Sequence, residues 1–137
     1  MSTLHLTALK AGLDAVLALG TPKLVFMATT FTPSSTTDAY YSDISAEVAS
    51  GTTEVTLASV TTTLDTGNAR VEFDTADPSL STITTTTDKY AIWVDTGVDS
   101  TSPVLATIDI VEGTLSPVAG TLGITVNAEG HFALKAV

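Results

Sequence analysis

The chain has no cysteine, which removes disulfide frameworks, Cys-based zinc sites and thiol nucleophiles together. Cations are scarce: 5 Lys plus Arg stand against 15 Asp plus Glu, a formal net charge of -10. Contacts to phosphate need clustered cations, so nucleic acid is not an expected partner, and an acidic surface resists anionic membranes. Aromatic residues make up only 6%. Mean hydropathy is high at +0.36, yet the apolar residues are spread over Ala, Val, Leu and Ile. No run approaches the roughly 18 uncharged apolar residues of a membrane span. What remains as partners are other proteins and small molecules.

Threonine is the unusual abundance, at about one residue in five. Its branched β-carbon suits a pleated strand. A length of 137 residues fits one domain, 1–137, able to bury about two thirds of its unfolded surface without a metal or disulfide. Residues 1–20 read as a helical arm: Leu6, Leu9, Leu13, Val16 and Leu17 recur at helical spacing, and Gly20 with Pro22 stops them. The run Ala11 to Leu19 after Lys10 also has the outline of a signal peptide, but Asp14 interrupts it and the amphipathic helix is the better reading.

Residues 23–137 read as a β-sandwich. Lys23 to Thr30, bounded by Pro22 and Pro33, is a buried strand, and Asp38 to Val48 is a helical turn or a connector. Val55, Leu57, Val60 and Leu64 alternate with a change of phase that marks a bulge. A turn at Asp65 to Asn68 leads to Ala69, Val71 and Phe73 on one face. Leu80 to Thr87 is extended, and its segment Thr82 to Thr87 offers edge-strand backbone. Lys89 to Asp95 is the central strand, and Val104 to Val111 is buried on most of both faces. Two alternating stretches, Leu122 to Val126 and Phe132 to Ala136, form a closing hairpin. Strands about ten residues apart, with no intervening long helices, predict a mainly β antiparallel sandwich or open barrel.

Catalytic signatures are missing. His5 and His131 have no nucleophile in a motif around them, and there is no Gly-x-Ser-x-Gly elbow, His-Glu-x-x-His or phosphate-cradling glycine loop. Hydroxyls abound, but a hydroxyl needs a positioned base to act. The pairs Asp95 with Asp99 and Asp43 with Glu47 do not match an EF-hand and read as solvating carboxylates. The expectation is therefore a non-enzymatic chain with no catalytic residues, no cofactor and no metal. Trp93, in the central strand, is a core anchor. Adjacent Tyr40 and Tyr41 cannot both point inward on one strand, so one ring is an interface candidate. The apolar ending with Phe132, Leu134 and Val137 is a further candidate, by strand addition to a neighbour.

The order of segments resembles a small virion protein encoded near the head genes of many tailed bacteriophages. The resemblance runs from Lys23 onward: KLVFMATT entering the Thr-Pro loop FTPSSTTDAY, then YYSDISAEVASG, then ARVEFDTADPSLSTITTTTDKYAIWVDTG, then SPVLATIDI, and last ITVNAEGHFALKA. The chain departs from it at Glu54-Val55-Thr56-Leu57, where relatives carry a Gly-Tyr turn, and in a more apolar N-terminal helix. The resemblance implies a structural virion component without active site. Its first-choice place is the capsid surface, as a decoration protein contacting the major capsid protein and itself, with trimers or dimers natural on symmetry axes. A head-tail connector or tail component comes second, and a fibre or adhesin-type glycan-binding sandwich is the competitor from another class.

Overall fold

The computed structural model describes residues 5–117, 120–128 and 130–135. Helix α1 spans Leu6–Leu17. Among the described residues the strands are β1 (Thr21–Ala28), β2 (Val55–Thr56), β3 (Thr61–Asp65), β4 (Arg70–Asp74), β5 (Ser79–Ile83), β6 (Thr87–Asp95), β7 (Val104–Asp109), β8 (Gly120–Gly123) and β9 (Phe132–Lys135). They form antiparallel sheets ordered β2-β1-β6-β7, β3-β4-β9 and β5-β8. The protein is mainly β, a sandwich-like domain with an N-terminal helix.

Strands β1 and β6 sit at the centre of the four-stranded sheet, and both of its faces are covered there. That is why Leu24 to Met27 and Tyr90 to Val94 are continuous apolar runs and do not alternate. Cross-strand pairs Leu24↔Ile92 and Phe26↔Tyr90 face the other sheets, against Val71, Phe73, Leu80 and Leu13 of α1. The opposite face presents Val25, Ala91, Met27 and Trp93 to Phe31, Tyr41 and Ile44. Tyr41 and Ile44 lie in the single-turn helix α2 (Tyr41–Ile44), continued by a 3-10 turn at Ser45–Glu47. The segment read as helix or connector is thus both, and it is a lid on the second face.

Helix α1 lies on β3 and β4. Its Asp14 accepts from Lys10 at 2.6 Å, one turn earlier, and from the Thr62 hydroxyl of β3 at 2.5 Å. Those two bonds hold the Asp14 carboxyl below its usual range. Gly12 has open space where a Cβ would go. Gly12→Ala is therefore expected to stabilise the protein by about 0.5–1 kcal/mol, through lost unfolded-state freedom, read from urea denaturation. Gly20 differs: a Cβ there would lie 2.7 Å from the Asp95 carbonyl carbon. It stops the helix and also lets β1 start against the end of β6.

Three expectations are corrected. The phase change after Leu57 is not a bulge. Ser59 adopts φ 53°, ending β2 in one sheet and sending the chain to β3 in the other. The final stretches do not form a hairpin: β8 pairs with β5 at Leu80↔Leu122, while β9 pairs with β4 at Phe73↔Phe132. Alternation reports which face is buried and not which strand is the neighbour, so it fits either pairing. Thr82 to Thr87 is not one edge segment either, because Ile83 pairs with Gly120 whereas Thr87 is fully buried in β6, its hydroxyl donating to the Met27 carbonyl at 2.7 Å.

Candidate interaction surface

Strand β7 closes one side of the four-stranded sheet. Its residues Val104 to Ile108 are only half-buried, which corrects the expectation that VLATIDIV is covered on most of both faces. The reason is its position. Leu105 and Ile108 pack in part on one core and Val104 on the other, and an open cleft lies on each side of the strand. One, of about 470 Å³, is walled by Ile108, Ile110, Leu122, Ile124, Tyr90 and His131. The other, of about 330 Å³, lies between Pro33 to Ala39 and the start of β7.

The hydrogen-bond pattern fixes which backbone groups of β7 look outward. Ile110 N–H donates to the Asp88 carbonyl at 2.8 Å, and Val94 N–H to the Pro103 carbonyl at 3.0 Å. Antiparallel alternation then turns Ile108 and Ala106 toward β6, and Thr107 and Asp109 away from it. Val104 N–H, at the start of the strand, is taken by the Ala39 carbonyl at 3.1 Å. The backbone groups of Thr107 and Asp109 are left without a backbone partner among the described residues.

At the inner end of the larger cleft stands a polar chain. The Thr75 hydroxyl, 2.9 Å from the Ala76 carbonyl, donates to it and so accepts from His131 Nε2–H at 2.8 Å. Nδ1 is then the acceptor for the Tyr90 hydroxyl at 3.1 Å, a tautomer assigned from the bonding. The neutral imidazole is satisfied at both nitrogens. Burial pushes its pKa down, against the opposing pull of Asp74 and Asp77, and burial pushes the Tyr90 hydroxyl up to about 12. A folded value below the unfolded one means that the unfolded chain binds the proton first. Stability present above about pH 6.5 is then lost as pH falls through that value toward the lower folded pKa. The melting temperature of the natural chain should drop between pH 7 and pH 5, and that drop should shrink in His131→Gln.

The residues singled out in the sequence fall in different places. Tyr40 is 45% exposed, beside the smaller cleft, with its backbone bridged to Pro103. Tyr41 is buried and stacked on Trp93, ring centroids 3.9 Å apart. Burial and a hydrogen bond to Glu54 push its hydroxyl pKa up. Trp93 is a core anchor as expected, and Lys23, held by Asp95 at 2.6 Å and Glu54 at 3.1 Å, lies over its ring. Phe132 and Leu134 pair with Phe73 and Val71 and line the space between the sheets. Val137 lies outside the described residues. Asp95 receives Gly97 N–H at 2.8 Å, and among the described residues no group of three or more His, Asp or Glu is arranged to hold a metal. No helix among them is long and apolar enough to cross a membrane.

Sequence reasoning missed the β7 edge. An edge strand flanked by clefts has the same apolar composition as a central one, and only the absence of a neighbour distinguishes it. The chain matches no protein-family model, no curated protein and no solved structure.

Proposed function

We propose that this chain is a structural component of a tailed-phage particle, a decoration protein that binds the outer capsid shell through protein contacts. The observation that carries the reading is the open β7 edge with a cleft on either side. A half-apolar edge whose later residues have outward backbone groups without a backbone partner among the described residues is a place where another chain can attach, since natural sheets blunt edges that have no such use. The order of segments from Lys23 onward, with its resemblance to small virion proteins, supplies the setting. The remaining features are compatible: an acidic, cation-poor surface is suited to protein contacts and disfavoured against packaged DNA, and His131 is hydrogen-bonded at both ring nitrogens.

The test is a deletion in the phage that encodes the chain. Particles assembled without it should lose their contents at lower temperature than complete particles, and adding the purified chain back should restore them. Deleted particles of unchanged stability and unchanged protein composition would reject the assignment.

A further inference from the structure

We infer that the outer edge of β7 is a strand-addition site for an extended, basic segment of another protein, with apolar residues alternating with Lys or Arg. This deepens the assembly reading and rests on it only for the biological source of the segment. The geometry is that of an interrupted sheet. Thr107 and Asp109 turn their N–H and C=O groups outward, and an incoming strand would pair with them and become the fifth strand beside β2-β1-β6-β7.

Side chains of a strand alternate between faces, so the incoming segment would send one set to each cleft. On the face of Tyr90 and Ile108, the receiving walls are Ile108, Ile110, Leu122 and Ile124, which call for apolar residues. On the other face, Thr107 and Asp109 point the way of Ala91 and Lys89, their cross-strand partners. Ser34 and Asp38 line the cleft there, Asp38 accepting the Ser34 N–H at 2.6 Å, while Asp109 borders the larger cleft, so a carboxylate on either side of the edge calls for cations. Lys89, the one cation opposite Asp109, is already paired with Asp88 at 2.5 Å. Glu112, in the loop that follows β7, lines the larger cleft beside Asp109 and adds negative charge on that side of the edge. A second copy of this acidic chain would set carboxylates against carboxylates, and the charge therefore favours a basic partner.

The probe is a fluorescein-labelled peptide, Gly-Ile-Lys-Val-Lys-Ile-Lys-Gly, titrated with the full chain and followed by anisotropy. Saturable binding below about 1 mM is expected, weakening as salt screens the charges. Thr107→Pro should weaken it about tenfold, since proline removes an outward donor at an edge position where the fold tolerates it. Thr107→Ala keeps the donor and should bind as the natural chain does. Should Thr107→Pro melt early, the pair Asp38→Lys with Asp109→Lys reads the same site through its charge. Three results overturn the proposal: equal binding by Thr107→Pro in a folded state, equal binding of a Gly-Lys repeat of the same charge, or sedimentation as a dimer that excludes the peptide. Failure here leaves membership of a particle untouched, because the peptide experiment uses no particles.

Discussion

Phe73→Ala is expected to cost about 3–5 kcal/mol, a large part of the roughly 5–15 kcal/mol that holds a domain of this kind together. Phe73 has no exposed surface and lies in β4, the middle strand of the three-stranded sheet β3-β4-β9. Its ring is stacked on Phe132 of β9, centroids 4.9 Å apart, and tilted on His131 at 6.0 Å. Truncation removes the ring from contact with strands of both inner-facing layers. The backbone around it is fixed by pairing on both sides, with Thr62 and Phe132, so the space cannot close. Urea denaturation should give a midpoint far below that of the natural chain, with an unchanged slope. Leu64→Ala, in the neighbouring strand but 37% exposed, should cost much less. Equal losses would mean that the core is not where the two sheets meet.

Gly130→Ala is the second large effect, and a second glycine isolates its cause. Gly130 and Gly113 share φ 82°. A left-handed alanine costs about 1–2 kcal/mol wherever it stands. At Gly113 that is the whole cost, since nothing lies within 4 Å of the new Cβ. At Gly130 the Cβ would land on the Phe73 carbonyl oxygen and 2.8 Å from its carbon. That carbonyl accepts His131 N–H at 2.8 Å, the bond that starts β9 beside β4. Moving it disturbs the His131 chain to Thr75 and Tyr90 as well. The expected loss at Gly130 exceeds the loss at Gly113 by about 2 kcal/mol or more, measured in the same denaturation series. Similar losses would show that backbone conformation alone governs both.

Much of this fold was legible in the sequence because burial leaves a pattern. The i, i+3, i+4 spacing of Leu6, Leu9, Leu13 and Leu17 marks α1, which spans Leu6–Leu17 inside the arm read as residues 1–20. The doubly apolar Tyr90 to Val94 identified the central strand, and Val71 with Phe73 the inner face of β4. Neighbours were not legible. Leu122 and Phe132 look like halves of one hairpin, yet each joins a different sheet, a choice made by contacts distant in sequence. Ser59 reverses the chain between sheets through a positive φ that its residue type does not announce. The candidate site depended on this hidden layer. Tyr40 and Tyr41 do part, one outward and one inward, but because Tyr41 opens helix α2 and Tyr40 caps it, not through alternation on one strand. The β7 edge was concealed, since a strand does not record in its own composition that its next neighbour is missing.

The acidic composition, by contrast, was legible and bears on assembly. Lys10, Lys23, Arg70 and Lys89 are each ion-paired within the chain. Lys23 ties β1 to Asp95 of β6 and to Glu54, whereas the Lys10 and Lys89 pairs are local, and carboxylates outnumber cations three to one.

The proposed role is tested most directly by cryo-electron microscopy of purified particles of a phage whose genome carries this sequence. The account predicts density for a β-sandwich repeated over the outer capsid surface, in stoichiometric amount, with an extended segment of the shell protein running beside β7. Density confined to the portal axis or the tail would contradict the decoration assignment, and particles that lack the chain altogether would contradict the structural role itself.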